Sequence, residues 1–116
     1  MKNILLVDDE DSIHLLYRDE LQEEGYTVES AFSGEEALEK LKSSTTDLVI
    51  LDINMPGMNG LEALRKIKDI NPALPVILSS AYQEFKQDLS SWASDEYIVK
   101  SANLDELKAA VKRHLP

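Results

Sequence analysis

The sequence predicts an α/β fold: a doubly wound parallel sheet of five strands alternating with five helices, joined by right-handed crossovers. Two observations carry this expectation. Short runs rich in Val, Ile and Leu recur along the chain, as expected of parallel strands buried on both faces, and segments with helical spacing lie between them. No repeat or low-complexity segment interrupts the alternation, so residues 1–116 read as one domain.

In chain order, residues 3–8 (NILLVD) form the first apolar run. Ile13, Leu16, Tyr17 and Leu21 then share one face of a helix, and Gly25 is placed to stop it. Residues 26–32 (YTVESAF) make a weaker strand suited to an edge. Ser33 and Glu36 form an S-x-x-E capping box ahead of Ala37, Leu38 and Leu41. Residues 46–52 (TDLVILD) give the third strand, and Leu61, Leu64 and Ile67 stripe a third helix ahead of Asn71-Pro72. Residues 74–79 (LPVILS) are the fourth strand. Between 83 and 93, Phe85 and Leu89 suggest a short helix that Ser90 and Ser91 support poorly. Residues 96–99 (EYIV) are a second edge candidate. The last helix opens on Asn103 and Glu106 and carries Leu104, Leu107, Val111 and Leu115.

Composition excludes several classes of function. The absence of cysteine removes disulfide frameworks, thiolate zinc sites and thiol nucleophiles together. With 22 acidic against 12 basic residues the formal charge is -10, which repels a polyanion and argues against direct nucleic-acid binding. No stretch approaches the roughly 18 to 20 apolar residues of a membrane span, and charge follows the N-terminus too soon for a signal peptide. The expectation is a cytoplasmic protein with no membrane contact.

In open parallel sheets ligands bind beyond the carboxyl ends of the strands. Here the first strand stops at Asp8 and Asp9, the third at Asp52, the fourth at Ser79 and Ser80, and the fifth at Lys100. Three carboxylates gathered at one rim raise each other's pKa unless a cation joins them. With no cysteine, and no histidine near these strand ends, the ligands are all oxygen, which suits Mg²⁺ or Mn²⁺ far better than zinc. Glu10 and Asp11 read instead as a helix start that favours the N-terminal dipole. After Asp52 the run "INMPGMNG" forces a turn at Pro56, Gly57, Asn59 and Gly60, leaving the carboxylate at the lip of its strand. A carboxylate so placed beside a metal can attack phosphorus and form an acyl phosphate. Lys100 can offset charge on the phosphoryl oxygens and the Ser80 hydroxyl can bond one of them.

These four motifs, Asp8-Asp9, "LDINMPGMNG" around Asp52, "VILSSAY" with Ser80, and "EYIVK" ending at Lys100, together resemble the receiver domain of two-component response regulators, over essentially the whole chain. The resemblance implies a flavodoxin-like sheet with strand order 2-1-3-4-5 and helices on both faces. It implies that Asp52 accepts a phosphoryl group from a phosphohistidine on a sensor histidine kinase or phosphotransfer protein. Asp9, Asp52 and the backbone carbonyl of Asn54 then bind Mg²⁺, with Asp8 completing the pocket. Ser80 and Tyr97 form the switch, the hydroxyl moving toward the phosphate and the aromatic swinging inward behind it. The switch shifts populations between two packed states and controls a downstream effector or a fused output domain. Such a domain catalyses its own phosphorylation and dephosphorylation without being a free-standing enzyme.

Some positions depart from the family pattern. Ser101 follows Lys100 where proline is common, often across a cis bond, and Ala102 stands where an aromatic is common. Trp92-Ala93-Ser94 replaces Ala-Gly-Ala. These changes cluster on the face made by the fourth helix, fifth strand and last helix, which many receivers present to partners, and Trp92 reads either as a partner anchor or as core. His14, on the first helix, reads more readily as a structural residue than as a residue of the pocket mouth, and neither it nor His114 reads as a phosphohistidine donor. Three alternatives remain. An aspartyl-phosphate phosphatase would place a carboxylate acid/base at position 54, where Asn54 stands. A flavodoxin-type carrier needs a phosphate loop after the first strand. A phosphorylation-independent adaptor would usually have lost part of the pocket.

Overall fold

The computed structural model describes residues 2–43, 45–81, 94–100 and 104–115. Five strands, β1 (Asn3–Val7), β2 (Thr27–Ala31), β3 (Leu48–Asp52), β4 (Val76–Ser80) and β5 (Glu96–Val99), form one parallel sheet in the order β2-β1-β3-β4-β5. Four helices are described, α1 (Asp11–Glu23), α2 (Gly34–Ser43), α3 (Gly60–Ile70) and α4 (Asp105–His114). The helix expected within residues 83–93 lies outside the described residues, as do Trp92, the Lys100–Ser101 bond, Ala102 and the Asn103 cap.

Alternation along the strands divides the core in two. Leu5, Val7, Val49, Leu51, Val76 and Leu78 face α2 and α3, while Ile4, Leu6, Leu48, Ile50, Ile77 and Ile98 face α1 and α4. A strand whose odd and even residues are both apolar must be covered on both sides, and that is the physical meaning of the LVIL-type runs. The edge positions expected for β2 and β5 hold. The fourth strand runs 76–80 rather than 74–79, because Pro75 has no N–H to give the ladder and instead receives the Val49 amide on its carbonyl at 3.0 Å. Ser80 is thereby a strand residue.

Local chemistry sets the helix ends. Gly25 takes φ +95°, a left-handed conformation that terminates α1. Ser33 Oγ accepts from the Glu36 amide at 3.0 Å, and Glu36 reaches back to the Phe32 amide at 2.6 Å, one residue earlier than a standard capping box. The face expected of α1 is rotated. His14, Tyr17 and Leu21 are buried, whereas Leu16 is 43% exposed.

The turn after β3 is the tightest piece of the fold. Gly57 takes φ +76°, and Gly60 begins α3 with its amide 2.8 Å from the Ile53 carbonyl. A Cβ at Gly60 would lie 2.2 Å from the Asp52 carbonyl oxygen and 2.5 Å from Ile53 Cα, both backbone atoms. Gly60→Ala is therefore expected to cost on the order of 3 kcal/mol, because the start of α3 must move off the strand end. Urea unfolding of the variant checks this, and a loss below about 0.5 kcal/mol would contradict the packing described.

Candidate functional site

The carboxyl ends of β1, β3, β4 and β5 bring together Asp8, Asp52, Ser80 and Lys100, as the positions at which the apolar runs stop predict. Asp8 is 2% and Asp52 4% exposed. Between them lies the Lys100 ammonium, 2.7 Å from Asp8 Oδ2 and 3.2 Å from Asp52 Oδ1. The other Asp8 oxygen accepts the Glu10 amide at 2.9 Å. Two buried anions thus share one cation, so deleting the cation would leave both carboxylates buried without it.

The electrostatics follow from that sharing. Burial pushes the Asp52 carboxyl up to about 6, with Lys100 pulling it back and Asp8 and Asp9 adding to the rise. For Lys100, burial works against the charge, but Asp8 and Asp52 outweigh it and hold the ammonium above the usual lysine range. A carboxyl poised near neutrality beside a persistent cation is an unusual state, and such groups cluster at functional sites.

Asp9 and Glu10 are exposed at the mouth and, with Asp8, have carboxylate oxygens within 4.8 Å of one another. Glu10 is also the N-cap residue of α1 and Asp11 lies in its first turn, as their reading as a helix start implies. The donors at this rim are all oxygens, one buried and two accessible to an entering ion, and that set fits Mg²⁺. Asn54 is exposed just beyond Asp52. Ser80 is fully buried, and its carbonyl accepts the Lys100 amide at 2.7 Å, which ties the end of β4 to the lysine. Tyr97 is 5% exposed and packs within the α2/α3 side of the core, in register with Leu78 of β4.

Two neighbours were not legible as parts of the site. Tyr17, from α1, sits beneath it against Ser79. Burial pushes its hydroxyl above the usual range, with Ser79 and Lys100 opposing the rise. His14 lies beside Asp8, contrary to the expectation of no histidine near these strand ends. Both its ring nitrogens have partners, Asp8 O and Ser30 Oγ, so it adds no nitrogen ligand to the oxygen set.

Fold and rim together define a class, a doubly wound domain with a buried carboxylate paired to a lysine beside a cluster of acidic side chains at the carboxyl ends of its strands. The model of the response regulator receiver domain matches residues 4–112, and the chain belongs to that family. A response regulator protein TrrA from Thermotoga maritima, solved in complex with Mg²⁺-BeF, is 54% identical and superposes with a TM-score of 0.93, covering 98% of this chain and 99% of that one. The complex of histidine kinase ThkA with TrrA matches at 53% identity and a TM-score of 0.93, over 100% of both chains. Among curated relatives, sporulation initiation phosphotransferase F of Bacillus subtilis is 35% identical over 99% of this chain and 94% of its own length. The transcriptional regulatory protein ZraR of Escherichia coli is 36% identical, and there the chain spans only 26% of the relative. The protein is a receiver domain of two-component signalling, with the strand order and helical layers of that fold.

Proposed function

We propose that Asp52 accepts a phosphoryl group in a Mg²⁺-dependent reaction and that the acyl phosphate shifts the chain between two packed states read by a partner. The observation that carries this is the Asp52 carboxylate, buried at the rim, raised to about 6 and bound to Lys100 beside Asp8. One Asp52 oxygen forms a bond to phosphorus as the bond from phosphorus to the donor imidazole nitrogen breaks, the electron pair leaving with that nitrogen. Dephosphorylation returns the carboxylate when water attacks the same phosphorus. Asp8, Asp9, Asp52 and the Asn54 carbonyl would hold Mg²⁺, or Mn²⁺ in its place, and the ion neutralises charge on the phosphoryl oxygens. Lys100 exchanges a carboxylate for a phosphoryl oxygen, the Ser80 hydroxyl donates to another, and Tyr97 adjusts its packing behind Ser80.

The relatives support the choice of partners. TrrA is found with Mg²⁺-BeF and with a histidine kinase, and a kinase or phosphotransfer protein is the donor we assign to this chain. The output is an effector or fused domain docked on the side of β5 and α4, and the part of the expected face assigned to the helix within residues 83–93 lies outside the described residues. We read residues 1–116 as one receiver domain acting in the cytoplasm, without nucleic acid or membrane contact. No helix among the described residues is long and apolar enough to cross a membrane. Asn54 stands where an aspartyl-phosphate phosphatase would carry its acid/base, which supports a slow signal over a turnover enzyme.

Incubation with acetyl phosphate followed by intact-mass spectrometry tests the proposal. One phosphoryl adduct is expected with Mg²⁺ and none with EDTA. Absence of an adduct under conditions that label a control receiver would favour the phosphorylation-independent adaptor.

A further inference from the structure

His14 is tied to the carboxylate pocket through the backbone. Its Nε2 lies 2.7 Å from the carbonyl oxygen of Asp8 and its Nδ1 lies 2.9 Å from Ser30 Oγ. The ring is 3% exposed and covered by Phe32, with centroids 4.1 Å apart and planes tilted by 36°. A carbonyl only accepts, so Nε2 carries a hydrogen, and in a ring with one hydrogen Nδ1 is left to accept. Ser30 Oγ receives Arg18 Nη2 and can turn its own hydrogen onto Nδ1. The donors therefore run in one direction, from Arg18 through Ser30 and His14 to Asp8.

The end of that chain is the residue at which β1 gives way to the acidic turn. The Asp8 amide donates to the Ala31 carbonyl at 3.1 Å, and its Oδ1 accepts the Glu10 amide at 2.9 Å. His14 holds the remaining backbone group, the carbonyl of the peptide that joins Asp8 to Asp9. Rotation of that peptide would swing the Asp9 carboxylate relative to Asp8, because the two side chains are hinged on it. A chain of hydrogen bonds with a single direction suits the task, since each member orients the next.

We propose that His14 is a positioning residue for the divalent cation, holding the Asp8–Asp9 peptide so that both carboxylates face one point. This rests on reading the acidic rim as a Mg²⁺ site. Groups that orient metal ligands from behind typically change affinity by about 10- to 100-fold when removed. A purely space-filling role for the ring under Phe32 predicts something different, because another ring would then serve as well.

The test compares wild type, His14→Phe and His14→Gln, with Mg²⁺ affinity read by calorimetry and Mn²⁺ affinity by electron paramagnetic resonance. Each is measured at a temperature where circular dichroism finds the variant folded. Phenylalanine keeps a ring and loses the donor, whereas glutamine has an amide nitrogen able to donate to Asp8. The expected result is cation binding weakened about tenfold in His14→Phe and restored to within about threefold of wild type in His14→Gln. Wild-type affinity in His14→Phe, or glutamine no better than phenylalanine, would overturn the proposal. A wild-type chain that binds neither ion would remove the metal reading itself, and with it this role. Should His14→Phe fail to fold, ¹⁵N spectra of wild-type His14 decide the point, with a protonated Nε2 and bare Nδ1 in favour and the opposite tautomer against.

Discussion

Replacing Asp52 by Asn is expected to make the metal-free chain more stable at neutral pH while abolishing phosphoryl uptake. An Asp whose carboxyl is raised from 3.8 to about 6 in the folded state binds more protons folded than unfolded between those values. Its contribution to stability is therefore fully present below pH 3.8 and is lost as pH rises through 6. Above that, the gap corresponds to about 3 kcal/mol of destabilisation, which a neutral amide avoids. The value of about 6 already includes the attraction of Lys100, so a net gain of up to about 3 kcal/mol at pH 7.5 is expected, shrinking toward zero at pH 4. Urea unfolding in EDTA at the two pH values checks it. Parallel pH dependence in wild type and variant would mean that Asp52 is not the strained group.

The opposite change is expected on the other side of the pair. Lys100→Met removes the cation that Asp8 and Asp52 share and leaves two nearly inaccessible carboxylates facing one another. Breaking a buried pair by deleting one partner typically costs about 3–5 kcal/mol. The loss should be largest at pH 7.5 without metal. It should be smaller near pH 5, where Asp52 takes up a proton, and smaller again in millimolar Mg²⁺, which supplies a replacement cation. Phosphorylation by acetyl phosphate should slow as well, since the phosphoryl oxygens would lose the cation proposed to offset their charge. A loss indifferent to both pH and Mg²⁺ would show that Lys100 acts by packing its methylenes and not by its charge.

The strands were readable because burial on both faces leaves a one-dimensional trace, and the site was readable because each run ends abruptly in a polar residue. Asp8, Asp52, Ser80 and Lys100 are all found at such ends. The first helix was harder. Ile13, Leu16, Tyr17 and Leu21 look like its buried face, but the buried positions are 14, 17 and 21, with Leu16 turned outward. A histidine within an apolar stripe gives no periodicity signal, and its partner Ser30 lies in another element. The usable clue was the pairing of His14 with Arg18, which share a helix face four residues apart. Tyr17 was correctly read as buried, but the placement of its hydroxyl beneath the site depends on Ser79, sixty-two residues away along the chain. Contacts between elements at that range are set by the sheet order.

The Asp52 carboxylate as the group that takes the phosphate is the central claim, and it is tested most directly by locating the phosphate. Chain phosphorylated with acetyl phosphate and Mg²⁺ is reduced with borohydride, which converts an acyl phosphate at aspartate to homoserine, then digested and sequenced by mass spectrometry. Homoserine is expected at position 52 alone. Homoserine at position 8 or 9, or an adduct that survives unreduced on another residue, would contradict it.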